Sequence, residues 1–300
     1  MSWRIVYFSK PAKLKIESSQ LKYIPDEGDS LTIPIEDISV ILLESNQILL
    51  TSALISKCCQ NNILIFSCDD KHLPCGIFTP FQQHSRVSQI SNLQIKSSEP
   101  LKKRLWQQII KSKIYNQSMV LKLFNLDNAN LLVKISENVK SGDSDNSEAY
   151  SAKIYWQSLF GEFTRQEDNK INSSLNYGYA ILRGAIARAI SSAGLMPSFG
   201  IYHSNDLNAF NLADDIIEPF RPFVDFKVYS MFKEENNFKE QTLTTKDKFM
   251  LTGILLDKCI YDSETTSILN AIELTVNSFV LSLKTNANCL NLLEFNIENR

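Results

Sequence analysis

The groups best suited to chemistry are four acids and one histidine. His203 stands in the text Gly200-Ile-Tyr-His203-Ser-Asn, a loop between two helical stretches. Shortly after it, Leu212-Ala-Asp214-Asp215-Ile-Ile-Glu218-Pro-Phe-Arg221-Pro sets three carboxylates within five residues. On one continuous helix Asp214 and Glu218 are i, i+4 neighbours, and Asp215 and Glu218 are i, i+3 neighbours. All three are therefore expected to point roughly one way. Like charges on one helix face are destabilising unless a cation compensates. Asp214 and Asp215 also suit the positive end of a helix dipole, whereas Glu218, a turn further on, suits it less. The fourth acid is Glu148, opening the helical text Glu148-Ala-Tyr-Ser-Ala-Lys-Ile-Tyr-Trp156. An acid in a first turn is ordinary. Its face-mates Ala152 and Tyr155, however, turn inward, and an inward glutamate needs a partner.

One imidazole and two or three carboxylates make a mixed N/O ligand set. Oxygen-rich sets suit Mg2+ or Mn2+, and the imidazole tilts the choice toward Mn2+. Such ions polarise a phosphoryl oxygen and activate a hydroxyl or water, which is phosphodiester chemistry. From residue types alone this is one use among several: a lone histidine also serves as a hydrogen-bonded structural residue, and acids also serve helix starts. Other chemistries are poorly provided for. The only histidines are His72, His84 and His203, too few for a multi-histidine cluster. The six cysteines form no C-x-x-C pair, and Cys58-Cys59 lies in apolar text that reads as core. No Gly-x-Ser-x-Gly elbow or Walker A loop is present.

The elements that must position these groups divide the chain in two. The first 80 residues read as β. Trp3 to Phe8 is a strand, Leu14/Ile16 and Leu21/Tyr23 alternate as a hairpin around Ser18-Ser19, and Leu31 to Ile33, Val40 to Leu43, Ile63 to Phe66 and Gly76 to Phe78 follow. Leu49 to Cys59 reads as a short helix with Thr51 as N-cap. After Thr79-Pro80-Phe81 the helical period takes over. Leu101, Leu105 and Ile109 fall at i, i+4 spacing, and the stripe continues to Phe124. Asn130 to Val139, a helix from Glu148 capped by Ser147, Leu175 to Ala193 with Gly194-Leu-Met-Pro197 as stop signal, Asn211 to Tyr229, Phe249 to Ile260, and Ser263 to Leu283 with Ser263 as cap are further helices. Lys233 to Lys248 reads as an exposed polar stretch. The predicted fold class is α+β: a β-rich domain over 1–80 and a larger all-α domain over 81–300. No apolar run approaches the roughly 18 residues of a membrane span, and the start of the chain lacks a signal peptide's apolar core, so a cytoplasmic protein with reduced thiols is expected.

At the chemistry-bearing residues the chain resembles a known family. The matching segments occur in order: Gln83-His84-Ser-Arg86-Val-Ser, Glu148-Ala-Tyr-Ser-Ala, Asn176-Tyr-Gly-Tyr179-Ala-Ile-Leu-Arg183-Gly, Ala193-Gly-Leu-Met-Pro197, Gly200-Ile-Tyr-His203 and Leu212-Ala-Asp-Asp-Ile-Ile-Glu218-Pro-Phe-Arg-Pro222. Any one is weak, but their order and spacing together are specific. They resemble the universal CRISPR adaptation nuclease, the integrase–endonuclease that captures new spacers, and the Glu-Pro-Phe-Arg-Pro form is most like the variant of type II systems. The likeness runs from the N-terminal strands to about residue 260.

The resemblance implies a β domain that dimerises and a helical domain with one metal site. Glu148, His203 and Glu218 match the family's Mg2+ or Mn2+ ligands and catalytic residues, with Asp215 in support. It implies joining of the 3′-OH of a short DNA duplex to a phosphodiester at a repeat end, a transesterification that needs no ATP. Partners would be double-stranded DNA (spacer precursor and repeat), a second copy of the chain, and a small ferredoxin-like CRISPR-associated protein bridging two dimers. Two other classes stay open: a non-catalytic DNA-binding scaffold, and a metal-dependent phosphodiesterase acting on small substrates.

Net charge first argues against a polyanion partner: 31 basic and 33 acidic side chains give -2. The distribution reverses that reading. Residues 86–140 hold 10 basic and 3 acidic side chains, whereas 141–230 hold 7 and 11. Arg86, Lys102, Lys103, Arg104, Lys111 and Lys113 therefore read as a DNA-binding arm of phosphate contacts placed before the acidic segment. The plainer alternative for these residues is a solvated helix face.

Overall fold

The computed structural model describes residues 4–79, 84–233 and 242–295. Strands fill the first of these stretches: β1 (Arg4–Phe8), β2 (Ala12–Glu17), β3 (Gln20–Pro25), β4 (Leu31–Pro34), β5 (Ile38–Leu43), β6 (Ile48–Leu50), β7 (Leu64–Cys68) and β8 (Pro74–Phe78). The hairpin predicted around Ser18-Ser19 is there. Both serines take positive φ, 49° and 60°, the mirror-image turn whose twist matches that of paired strands. One sheet has the order β4-β3-β2-β6 and the other β1-β5-β7-β8. In the second, β1, β5 and β7 run parallel, and all six residues of β5 are buried. A strand covered on both faces must be apolar throughout, as Ile38-Ser-Val-Ile-Leu-Leu43 nearly is.

The two faces of β5 and β7 belong to different cores. Ile41, Leu43 and Ile65 pack toward Leu14 and Leu21 of the first sheet and Leu54 of α1 (Ser52–Gln60). That helix is capped by Thr51 as predicted, its Oγ1 accepting from Leu54 N at 3.4 Å. Val40, Leu42, Leu64 and Phe66 face the opposite way, into the large core shared with the helices.

Those helices are α2 (Val87–Ile95), α3 (Glu99–Leu123), α4 (Ala129–Asn138), α5 (Ser147–Phe160), α6 (Lys170–Ser192), α7 (Asn211–Ile216), α8 (Arg221–Phe232), α9 (Thr245–Thr252) and α10 (Ile268–Thr285). The long, largely buried α3 and α6 form the centre. Gly184 on α6 lies so close to the Phe66 ring that a Cβ there would collide with it, which fixes how closely helix and sheet approach. The α+β class holds, and no described helix is long and apolar enough to cross a membrane.

Several expectations need correction. The predicted helix Phe249 to Ile260 ends early: α9 gives way to a tight 3-10 turn at Gly253–Leu256 and then to β9 (Lys258–Tyr261), which pairs with β10 (Glu264–Ser267). The helical part is thus not all-α. Asp262 and Ser263, at φ 52° and 66°, make the turn of this hairpin, and the cap of α10 is Ser267, whose Oγ accepts from Asn270 N at 3.2 Å. The predicted helix Asn211 to Tyr229 is broken at Glu218–Phe220, because Pro219 has no N–H to donate and its ring crowds the preceding turn. Before α5 the cap position belongs to Asn146 rather than Ser147, and Asp143 does the capping work, its carboxylate accepting from Ser147 N and Glu148 N at 2.9 and 3.1 Å. Lys248, at the end of the predicted exposed stretch, is buried, its Nζ 2.8 Å from Glu44 Oε1. The rest of that stretch over 234–241, with Trp3, Pro80, Phe81 and Gln83, lies outside the described residues.

Candidate active site

Three segments converge on one buried cation. Glu148 reaches in from the first turn of α5, and Glu218 from the proline break between α7 and α8. Between them stands Lys113 of α3, whose Nζ is 2.6 Å from Glu148 Oε1 and 2.5 Å from Glu218 Oε2. Glu218 is only 5% exposed and Lys113 8%. Arg221, three residues on, donates through Nε to Glu218 Oε1 at 2.9 Å. Burial alone would raise the pKa of Glu218, but the charges of Lys113 and Arg221 outweigh it and the carboxyl ends below its usual range. Burial likewise opposes the charge on Lys113, and Glu218 and Glu148 reverse that, raising its pKa. Glu218 Oε2 faces the Lys113 ammonium, and no other partner is found for it among the described residues.

His203 is fixed separately. Its Nδ1–H donates to Asp215 Oδ1 at 2.6 Å. Asp215 is fully buried and also gathers three backbone donors of the same loop: Ile201 N at 2.5 Å, Tyr202 N at 3.0 Å and His203 N at 3.1 Å. This one carboxylate therefore folds the loop and orients the ring. Gly200 makes room for it, since a Cβ there would sit 2.6 Å from Asp215 Oδ2. Trp106 of α3 stacks on Tyr202 with centroids 4.4 Å apart and meets the His203 ring edge-on. The hydrogen bond to Asp215 raises the pKa of His203 against the opposing effect of partial burial.

The three clustered acids do not share one direction, because neighbours on a helix turn about 100° apart and the chain tightens to a 3-10 turn at Glu218–Phe220. Each has its own partner. Asp214 pairs with Arg183 through two contacts, at 2.6 and 3.0 Å. Asp215 holds His203, and Glu218 holds Lys113 and Arg221. Among the described residues, no three of the His, Cys, Asp and Glu side chains gather closely enough to hold an ion together. The structure thus brings Glu148 and Glu218 to one point and aims His203 from a separate anchor. The donor set nevertheless fits a divalent ion. Two carboxylates already share a single cation position, and the imidazole is engaged through Nδ1 by a carboxylate, the usual support of a metal-binding histidine.

Of the predicted basic arm, Lys113 is not on the surface at all. Leu101, Leu105 and Ile109 step by four to position 113, so the lysine lies on the apolar stripe and points inward. That spacing was the available signal. Lys102 pairs with Glu99 at 3.5 Å and lines, with His203, a polar cavity of about 370 Å³. Arg86, Lys103 and Arg104 are exposed and Lys111 is half-buried. Sequence reasoning also gave no role to Arg221, Trp106 and Tyr202, which orient the site. Two buried thiols are inert by position: burial pushes Cys58 and Cys259 up to about 12.

Comparison with known proteins adds an independent line. A family profile described as CRISPR associated protein Cas1 matches residues 5–261. A CRISPR-associated endonuclease Cas1 of Neisseria meningitidis serogroup C (strain 8013) is 41% identical over 281 residues, 93% of this chain and 91% of that protein. Among solved structures, a casposase bound to integration product superposes with a TM-score of 0.76 at 18% identity, over 100% of this chain and 94% of that one. A Cas1 protein from Thermotoga maritima gives 0.72 at 18% identity, over 94% and 97%. At such identities the two structures speak for the fold.

Proposed function

The chain belongs to the Cas1 family of CRISPR-associated proteins, and from that premise we propose that it is a metal-dependent DNA endonuclease and integrase of spacer acquisition. Glu148, Glu218 and His203 would hold one Mg2+ or Mn2+. When bound, the ion would neutralise the attacked phosphate and stabilise the departing 3′ oxygen. The observation that carries the reading is the shared cation position of Glu148 and Glu218, and the imidazole of His203 is separately oriented by Asp215. The name of the curated relative and the integration product of the structural neighbour support the same chemistry.

The reaction would be strand transfer. The 3′-OH oxygen of incoming DNA loses its proton and forms a bond to phosphorus as the bond to the 3′ oxygen of the repeat strand breaks and that oxygen takes up a proton, so one phosphodiester is exchanged for another. In this site Arg221 and Lys113 keep Glu218 anionic, Asp215 holds the His203 tautomer and ring plane, and Lys102 brings positive charge to the cavity beside His203. The exposed Arg86, Lys103 and Arg104, with Lys111, would contact phosphates. Dimerisation through the β-rich region is supported by its free sheet edges, where Leu31 of β4 and Leu49 of β6 are well exposed. A small ferredoxin-like partner joining two such dimers completes the proposed assembly.

The test is cleavage and strand transfer on a branched DNA with Mn2+. Glu148→Ala and His203→Ala are each expected to lower the rate by about a thousandfold. Full activity in either variant would overturn the assignment.

A further inference from the structure

Lys113 stands between two of the three residues proposed to hold the ion. Its ammonium lies within 2.6 Å of an oxygen from each of two carboxylates. A divalent ion such as Mg2+ binds oxygen at about 2.0–2.1 Å, so an ion on those two oxygens would lie close to the ammonium and repel it. Among the described residues Lys113 is the one cation at ion-pair distance from Glu148, whereas Glu218 also has Arg221. Without Lys113 the metal-free protein would hold Glu148 and the buried Glu218 against each other with one carboxylate uncompensated, an arrangement of high cost. The position of Lys113 on the apolar stripe of α3 carries its stem through the core to this point. A lysine stem has four rotatable carbons, and its head can leave without moving the helix.

We propose that Lys113 is a tethered counter-cation that preassembles Glu148 and Glu218 in the metal-free protein and competes with the divalent ion for them. The proposal rests on the metal-centre reading above and adds to it a determinant of affinity. Metal loading is then an exchange of one cation for another at a standing pair of carboxylates. Lys113 sets how much free ion the exchange needs, and it leaves both partners when the ion enters.

Two measurements test this, neither of them an activity. The first is calorimetric titration with Mn2+ of the wild type and of Lys113→Gln, whose amide can still hydrogen-bond both carboxylates. Removing the competitor should tighten Mn2+ binding by about tenfold or more, a usual size for coupling between two ligands. Equal or weaker binding by a folded Lys113→Gln protein would overturn the proposal. The second covers the case in which that variant fails to fold without metal. It is the rate of reductive methylation of Lys113 in the wild type, read by mass spectrometry in EDTA and in Mn2+. Faster labelling with Mn2+ is expected, and an unchanged rate would overturn the proposal. Failure of both proteins to bind Mn2+ would remove the metal-centre reading itself, and this proposal with it.

Discussion

Glu218 and Asp225 flank the start of α8, both are buried, and they are held by opposite kinds of partner. Glu218 has two cations, Lys113 and Arg221, and its pKa lies below the usual carboxylate range despite burial. Asp225, 1% exposed, has two phenols: Tyr155 OH donates to it at 3.0 Å and Tyr179 OH at 2.5 Å. Its pKa is raised to about 6, because burial outweighs what the two hydroxyl donors can offset. Arg221 stands between the two clusters, with its guanidinium 4.7 Å from the Tyr179 ring. The difference separates chemistry from architecture. A carboxylate compensated by a mobile cation can exchange it for another cation, whereas one fastened by core phenols can only hold α5, α6 and α8 together.

The largest effect should fall on one side of this comparison. Glu218→Gln keeps the shape and removes the charge, and strand transfer should drop by about a thousandfold. Asp225→Asn should stay within about tenfold of the wild type when both proteins are folded. Equal losses would break the distinction.

Stability against pH should show the reverse pattern. Unfolded, Asp225 ionises near 3.8, and folded near about 6. Between those values the native state holds the extra proton, so its stability is greatest at the acid end and declines as pH rises toward 6. The cost from this one group is ~3 kcal/mol when complete. Denaturant midpoints from pH 4 to 7 should therefore fall more steeply in the wild type than in Asp225→Asn. Parallel curves would mean that the phenols satisfy the charged form.

Asp215 is the intermediate case, a buried acid that acts through the backbone it gathers and the ring it orients. Asp215→Asn should weaken Mn2+ binding by about 10- to 100-fold, the usual cost of losing a carboxylate behind a metal-binding histidine. Calorimetry on the folded variant measures it, and unchanged affinity would reduce Asp215 to a loop anchor.

Much of this was legible in the sequence, for local reasons. The Ser18-Ser19 hairpin, the Thr51 cap, the Gly194 stop and the loop around His203 all follow from short-range turn and capping chemistry. Glu148, His203, Asp215 and Glu218 could be named because their types and order are distinctive. What escaped depended on distant contacts or on residues with two local uses. Asp262-Ser263 suits a hairpin turn and a helix start equally, and only pairing of β9 with β10 decides. Asp214, Asp215 and Glu218 take separate partners, Arg183, His203 and Lys113, on other segments of the chain that local spacing does not reveal. Composition groups Lys113 with the surface charges, although its spacing from Ile109 points inward.

That last residue offers the finest test of the comparison, because α3 carries both kinds of cation. Lys103 and Arg104 face solvent, whereas Lys113 is spent on two carboxylates. Affinity for a DNA duplex falls with salt in proportion to the phosphates neutralised, by about 0.9 in log–log slope for each contact. Lys103→Ala combined with Arg104→Ala should flatten the slope by about 2 if both touch phosphate. Lys113→Gln, measured in EDTA, should leave the slope where it was, since an ammonium held between two carboxylates releases no counterions from DNA. A flattening by Lys113→Gln as large as one outer contact would show that its head reaches phosphate in the metal-free protein, and the internal ion pair would then not be its resting state.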